Sequence, residues 1–460
     1  MAEMVLFLSK TGESMLDAII RPYIVQAVCR DMSSGNTLMC TSTNDVYSVQ
    51  DDVQSTAARY IMYYRILMTV PAVLLALLCG AWSDRNGRKI SMAIPGVGGV
   101  LSVVVFLITF KYKEHTLPLI LVGAAIQGMF GKASLLPMAV QSYVSDITDD
   151  DQRTHKMGRL MSMQYIGMFA GSLLASILED TTSLEVALCA GSAVHALTVF
   201  ITLFWIQEVV PGQTSKTESD SDLKCTLFSL SGLMQSLTVL SKERKNNFRS
   251  IIVILFISAL INQICRIGDA DVTVLFVQRS PLFWPESWYG YLLALDYCVM
   301  GAVLLLLLPL LSNVLHFSDV TLLMIAIFFK LIRSFWAGFC TKTWMMYTSM
   351  AIGGLAGMLT PVIRSFTSKH VQDDEQGKAF SLLSSGETAS KLLGSIIFTN
   401  IYSATVSLFP GLTYLFEGFL YLVMFLMMVW LYKLTQFKQS DSVMHPLANR
   451  SPKVYTEDRE

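Results

Sequence analysis

Basic side chains stand inside several long apolar runs of this sequence. A charge at the centre of a membrane costs about 2.5–3.5 kcal/mol on insertion scales, so it usually faces a water-filled cavity or a partner of opposite charge. Lys132, Arg266 and Arg364 are basic residues of this kind. Because each is a fixed hydrogen-bond donor at low dielectric, the three predict a cavity that stabilises an anionic solute.

Each basic residue also has a purely structural interpretation. Lys132 could extend its ammonium group to a membrane interface, although its central position disfavours this. Arg364 could anchor the cytosolic end of its apolar run, which finishes within a few residues. Arg266 and Asp269, three residues apart, could form an ion pair within their own helix. Asp271 lies two residues further on, points elsewhere and is placed with the basic residues in the predicted substrate site.

Carboxylates in the same kind of run predict a proton-coupling site. Glu387 and Lys391 are four residues apart, so they share one face of a helix. Burial favours the neutral acid, whereas a cation one turn away favours the carboxylate, so proton occupancy could follow the substrate or the conformation. A static pair that only holds helices together explains the spacing equally well. Together with Asp269, these residues form the predicted proton-coupling set.

A polar stretch between the second and third apolar runs contains a candidate gate. It reads Gly-x-x-x-Asp-Arg-x-Gly-Arg-Lys and includes Gly80, Asp84, Arg85, Gly87 and Arg88. Gly80 lets a neighbouring helix approach closely, and Gly87 accepts a turn conformation that strains other residues. Asp84 can meet the positive end of a nearby helix and pair with Arg88. A simple polar turn explains the basic residues but not the joint spacing.

The composition places these charges in a polytopic membrane protein. The chain is 53% hydrophobic and 15% charged, whereas soluble domains carry about 25% charge. A formal net charge of −1 argues against a nucleic-acid partner. No Cys-x-x-Cys or His-Glu-x-x-His spacing occurs, so we predict no metal site, no cofactor and no enzyme activity.

Twelve stretches are long and apolar enough to cross a membrane as helices, which takes about 20 residues each. They are roughly 5–26, 60–82, 90–110, 117–141, 157–178, 184–206, 250–277, 288–311, 319–340, 344–366, 379–402 and 410–434. We therefore expect an all-α fold with two six-helix halves. The halves are 1–206 and 250–434, with a cytosolic linker at 207–249 and a cytosolic tail at 435–460.

The orientation follows from lysine and arginine, which are concentrated in the loops on one side of this arrangement. The positive-inside rule puts both termini and the linker in the cytosol. Cys29 and Cys40 share a predicted outside loop and could form a disulfide. The tail shows no convincing sorting signal, which favours the plasma membrane and leaves the lysosomal membrane as the alternative.

Segments along the chain carry a family resemblance. They are the stretch 80–89, Ser280-Pro281-Leu282-Phe283-Trp284, Thr360-Pro361-Val362-Ile363-Arg364, Glu375-Gln376-Gly377 and Ile401-Tyr402-Ser403-Ala404-Thr405-Val406. The first is similar to the loop after the second span in the major facilitator superfamily. The others resemble solute carrier family 46, the proton-coupled folate transporter and its relatives.

The resemblance implies a facilitator fold and, in several members, proton-coupled import. Folates, muropeptides, cyclic dinucleotides and steroid conjugates are the solutes attributed to the family. The first, fourth, seventh and tenth spans would line the central cavity. Asp84 and Arg88 match the loop motif, and Arg364 matches a tenth-span arginine implicated in substrate handling. The first span adds three charged residues spaced for one helical face: Lys10, Glu13 and Asp17.

Four departures from the family pattern exclude folate from the prediction. Lys132 stands where the folate carrier has an aspartate, and a glutamate of that carrier aligns near Met161 of this chain. Arg266 aligns with its histidine, and Phe283 replaces a cysteine of its outside loop. The proton and pterin apparatus of the folate carrier is therefore largely missing.

These observations predict a secondary transporter of an organic, anionic solute, working as a monomer in the lipid bilayer with protons as a second partner. The two halves would rock around a midplane site while Asp84 and Arg88 close the cytosolic side. The loop motif does not recur between the eighth and ninth spans, so the gate is expected to be asymmetric. A receptor or scaffold that keeps the fold without transporting is the alternative, and the intact loop argues against it.

Overall fold

The architecture is that of a computed structural model, which describes residues 2–32, 47–111, 116–132, 134–146, 150–208, 248–279, 281–371 and 376–448. Within these ranges the chain is helical, and the helices fall into two sets along the sequence. The first set is α1 (Ala2–Met32), α2 (Tyr47–Asn86), α3 (Lys89–Lys111), α4 (Thr116–Met129), α5 (Leu135–Asp146), α6 (Asp150–Thr181) and α7 (Leu184–Trp205). The second set is α8 (Phe248–Val277), α9 (Glu286–Ala302), α10 (Asp319–Gly338), α11 (Thr343–Gly354), α12 (Leu359–Ser368), α13 (Gln376–Thr405) and α14 (Leu412–Ala448).

Three predicted spans are not continuous α-helices. The fourth is divided between α4 and α5 by a turn at Gly131, whose φ of +76° is unfavourable for other residues. The tenth is divided between α11 and α12 by a short 3₁₀ segment, Leu355–Met358. The eighth continues from α9 through the π-turns Val303–Leu307 and Leu310–Val314. Irregular backbone of this kind occurs inside membranes where it is buried in protein or lines a cavity.

Eight helices in the described ranges are long and apolar enough to cross a membrane. α1, α2 and α13 fall outside that group, and α4 and α5 are shorter apolar helices. The predicted total of twelve spans therefore stays a prediction. α14 runs on to Ala448, so the boundary placed at 435 lies inside a helix. The linker core, 209–247, and the end of the tail lie outside the described residues.

Glycines bring two pairs of helices into backbone contact. On α6, a Cβ at Gly167 or Gly171 would overlap the carbonyl oxygens of Phe7 and Thr11 on α1. On α13, a Cβ at Gly394 would overlap the Ile264 carbonyl on α8. The two pairs hold equivalent positions in the two sets. Their packing supports the predicted internal symmetry, which the loop motif does not show.

The two sets meet through α2 on α13 and through α6 on α9. Polar contacts join them near the end predicted to face outside. Ser55 and Ser403 are 2.5 Å apart through their hydroxyl oxygens, and Arg279 donates to Asp51. At the opposite end, no ion pair between described residues joins the sets: Lys369 with Asp319, for example, stays within the second set. The structure is thus tied at the predicted outer end.

Candidate substrate and gating site

Asp17 of α1 is the first centre of an ion-pair network. Its carboxylate accepts from Lys132 Nζ at 2.9 Å and from Arg21 Nη2 at 3.2 Å. Lys132 lies in the turn between α4 and α5, immediately after Gly131. The turn therefore places an ammonium group beside α1 rather than at a membrane interface. The side chain of Asp17 remains 25% exposed, so water or a solute can reach this pair.

Asp271 of α8 is the second centre, and it joins the two helix sets. Its side chain is fully buried and accepts from both Nε and Nη2 of Arg65 on α2, the Nε contact being 3.3 Å. Arg21 Nη1 lies 3.7 Å from the same carboxylate and 3.4 Å from the hydroxyl oxygen of Tyr289. One carboxylate of the second set is thus held by two arginines of the first. This confirms that Asp271 points away from Asp269.

Lys391 and Arg266 lie among basic neighbours. Lys391 interacts electrostatically with Arg266, Lys10 and Arg65, and Glu387 is the carboxylate in its reach. Glu387, however, accepts from Arg364 Nη2 at 2.7 Å. Arg364 of α12 is therefore the direct partner of Glu387, while Lys391 acts on Glu387 from one helical turn away. The proton-coupling role of Glu387 and Lys391 stays a prediction. Arg364 is 27% exposed, so solvent can reach it, and both its substrate-binding role and the end-anchor alternative stay open.

The connected cluster carries more positive than negative charge. Its basic members in the described chain are Lys10, Arg21, Arg65, Lys132, Arg266, Arg364 and Lys391. Its carboxylates are Glu13, Asp17, Asp271 and Glu387. Lys10 pairs with Glu13 at 2.6 Å, as their spacing on α1 indicates. Seven cations against four carboxylates leave a surplus of three positive charges.

Asp269 does not belong to this cluster. Its carboxylate meets Arg333 Nη2 of α10 at 2.7 Å, so the internal pair with Arg266, the structural alternative that their spacing left open, does not form. Arg266 and Asp269 have the spacing to pair, but helix packing turns Asp269 towards α10 and α14. Arg333 also binds Glu417 of α14. The site predicted on α8 is therefore two sites, one at the interface and one inside the second set.

The candidate gate is shorter than the sequence predicts. α2 continues to Asn86, so the turn consists of Gly87 and Arg88, and the φ of +103° at Gly87 confirms its turn conformation. Arg88 Nη1 donates to Ser83 Oγ at 2.9 Å. Glu208 accepts from the backbone N–H of Lys89 at 3.1 Å, which caps α3.

The remaining gate residues and the disulfide are only partly described. Gly80, Asp84 and Arg85 lie in the last turns of α2, but their surroundings and side-chain contacts fall outside the described part. The predicted Asp84–Arg88 pair therefore stays a prediction. Cys29 is disulfide-bonded. Because Cys40 lies outside the described residues, its pairing with Cys29 also stays a prediction.

Four residues at these sites escape the sequence argument. Arg21 lies four residues after Asp17, a spacing that suggests a pair on one helix face. Arg65 and Glu417 are charged residues inside apolar runs. Because burying a charge is costly, their positions alone indicate a cavity or a partner of opposite charge. Glu208 follows the sixth apolar stretch, and nothing in the neighbouring sequence indicates that it lies beside α3.

Long apolar helices around buried ion pairs, with broken helices beside the charges, are typical of a membrane transport protein. The chain belongs to the Major Facilitator Superfamily, since the model of that family matches residues 57–341 and 321–454. It is thus a multi-pass membrane transporter and not an enzyme.

Curated relatives confirm the resemblance to solute carrier family 46. The lysosomal proton-coupled steroid conjugate and bile acid symporter SLC46A3 of Gallus gallus is 22% identical, over 94% of this chain and 93% of the relative. The proton-coupled folate transporter of Rattus norvegicus is 27% identical, over 80% of this chain and 77% of the relative.

Solved structures show the same fold. The human organic anion transporter MFSD10 (TETRAN) matches with a TM-score of 0.64 and 14% identity, over 93% of this chain and 98% of the other. The peptide transporter POT, crystallised as a mutant in complex with sulfate, gives a TM-score of 0.62 and 13% identity over 94% and 95% of the two chains. At these identities the likeness concerns the fold alone.

Proposed function

We propose that this transporter carries an organic anion inward by alternating access, coupled to protons, with the plasma membrane as its site. The observation that carries the proposal is the charge surplus around Asp17 and Asp271, where the protein's own carboxylates occupy Lys132, Arg21 and Arg65. A carboxylate or sulfate of a solute offers the same acceptor geometry as these side chains. It can therefore bind the surplus positive charge, and a carboxylate that it displaces, such as the buried Asp271, favours the open arrangement in which water can reach it.

The exchange of partners supports a transport cycle. Arg21 and Arg65 hold Asp271 only while α1 and α2 lie against α8. A solute that takes over these arginines loosens that contact and favours opening of the outer end. Residues 1–206 would then rock against 250–434, with Gly80, Asp84, Arg85, Gly87 and Arg88 closing the cytosolic side.

Two relatives agree with this chemistry, because both are named as proton-coupled transporters and their named solutes, steroid conjugates, bile acids and folates, are organic anions. Lys132 and Arg266 depart from the folate-carrier pattern, so we expect steroid sulfates or bile acids to be better probes than folate. The proposed proton-coupling groups are carboxylates of the second set, Asp269 and Glu387, with Lys391 beside the latter.

Uptake by the purified full chain in proteoliposomes tests the proposal. The anionic probes are a radiolabelled steroid sulfate and a bile acid, and a neutral nucleoside is the comparison. We expect saturable uptake of an anionic probe, stimulated by an inward proton gradient. Lys132→Gln, Arg266→Gln and Arg364→Gln should each reduce it at least tenfold. Lys369→Gln is the matched control, because Lys369 is an exposed cation paired within one helix set.

Two outcomes would contradict the proposal. Unchanged uptake in all three glutamine variants would show that the basic residues do not contact the solute. Saturable binding of an anion by the folded protein without any flux would instead support a receptor that keeps the transporter fold.

A further inference from the structure

A second buried charge cluster lies inside the second helix set, away from the contact with the first. Arg333 of α10 is fully buried between two carboxylates. Its Nη2 is 2.7 Å from Asp269 Oδ1 of α8, and its Nη1 is 3.0 Å and 3.4 Å from the two oxygens of Glu417 on α14. The side chain of Glu417 is also fully buried. Two carboxylates share one guanidinium, so the trio carries a net negative charge when both are ionised.

The groups around Glu417 include one cation besides Arg333, namely Lys330. The polar groups near it from each packed helix are Lys330, Arg333 and Ser334 on α10, Asp269 and Cys265 on α8, and Tyr414 and Tyr421 on its own helix. α13 directs its described charges, Glu387 and Lys391, towards Arg364 and Arg266.

Lys330 is a further cation in this region, and Asp296 of α9 is a further carboxylate. Lys330 is 6% exposed and has no carboxylate oxygen within 4.0 Å among the described residues. Its charge acts on Asp296 as well as on Glu417, and Asp296 is likewise without a direct ion pair in the described chain. Counted together, the carboxylates Asp269, Asp296 and Glu417 exceed the cations Lys330 and Arg333 by one, so an excess negative charge remains in apolar surroundings, where such a charge is costly.

We propose that Glu417 is a proton-binding site and that its proton is the one coupled to transport. A proton taken from water forms an O–H bond on Glu417 and leaves Arg333 with Asp269 as a neutral pair. This inference rests on the proposed function and deepens it, since it moves the proton site from Glu387 to α14. The predicted assignment of Asp269 to proton coupling is retained, as the second acid of the trio.

The link to the solute site runs along α8. Asp269 lies two residues before Asp271, which holds Arg65 and Arg21 of the first set. When Glu417 is ionised, the two acids compete for Arg333; when it is protonated, Arg333 binds Asp269 alone. The position of α8 can therefore change when Glu417 is protonated. The contacts of Asp271 with Arg65 and Arg21 would change with it.

Infrared titration of the purified full chain tests proton binding without any solute. We expect a carboxylic acid C=O band that grows as the pH falls and is missing in Glu417→Gln. Glu387→Gln, which changes another buried acid paired with an arginine, should keep the band. A band that survives in Glu417→Gln, or that disappears in Glu387→Gln, overturns the assignment. If Glu417→Gln does not fold, Glu417→Asp must shift the frequency of the band. An unshifted band in Glu417→Asp also overturns the assignment.

Transport supplies an independent measurement. With a steroid sulfate as probe, we expect the ratio of uptake with and without an inward proton gradient to fall to about one in Glu417→Gln. A ratio equal to that of the unmodified protein refutes coupling through Glu417. Failure of the unmodified protein to carry any anion, with the infrared band still assigned to Glu417, would refute the proposed function and leave the proton site standing.

Discussion

Replacing Asp271 with asparagine should open the outer end of the transporter. The substitution keeps the shape of a fully buried side chain but leaves Arg65 without its carboxylate. Removing one partner of a buried ion pair costs about 3–5 kcal/mol. The substitution therefore destabilises the conformation in which α2 and α8 are in contact relative to the open one, because Arg65 can be hydrated once the helices separate. Since 1.4 kcal/mol is a factor of ten, the equilibrium should shift towards the outer-open form by a factor of about 100 to 4,000.

Distances between spin labels measure this shift directly. Thr182 and Leu408 are exposed positions at the outer ends of the two helix sets and accept cysteine-linked labels. Cys189 and Cys298, the exposed free cysteines of the described chain, are first replaced by serine.

We expect a longer-distance population that dominates in Asp271→Asn and is minor in the parent. Asp319→Asn, which removes an exposed carboxylate paired within one set, should leave the distances unchanged. An unaltered distribution in folded Asp271→Asn would refute the idea that this ion pair holds the outer end closed.

Two further predictions follow from contacts between helices. Cysteines at Ser55 and Ser403, whose hydroxyl oxygens are 2.5 Å apart, should form a disulfide on oxidation and abolish solute flux until a reductant is added. Gly171→Ala should destabilise the protein by about 1–3 kcal/mol, measured by thermal unfolding, because the added Cβ overlaps the Thr11 carbonyl of α1.

The controls for these two predictions lie within one helix set. Cysteines at Ser318 and Thr321, 2.8 Å apart through their side-chain oxygens, can be oxidised without joining the sets and should leave flux intact. Gly191→Ala adds a Cβ at an ordinary contact distance of 3.7 Å from Leu16 and Met15, so it should be nearly neutral. Flux through the oxidised Ser55–Ser403 pair, or equal stability of the two alanine variants, would contradict the respective argument.

The sequence predicts the positions of the charged residues better than it predicts their ion-pair partners. Spacing along a helix shows that Glu387 can reach Lys391, but it says nothing of Arg364, which belongs to another helix. The rotation of each helix depends on packing, and glycine contacts such as those of Gly394 set it. Partners across helices are therefore a property of the assembled bundle.

The fourth span shows a second limit of the sequence. Its hydropathy is continuous across Lys132, so composition predicts one helix over 117–141. A single backbone angle at Gly131 divides it, and a glycine is compatible with either outcome. In contrast, Gly87 stands in a polar stretch between two apolar runs, and there the same residue type correctly indicates a turn.

The backbone contacts of α1 with α6 and of α8 with α13 also constrain how the molecule can move. No layer of side chains separates these helices, so neither pair can slide or bend without carbonyl groups colliding. Each pair should therefore move as a rigid unit, and deformation is left to the contacts between the two sets, those of α2 with α13 and of α6 with α9. Turnover should accordingly be limited by rotation of the two sets about these contacts. Each rigid helix pair should carry that rotation from one face of the membrane to the other.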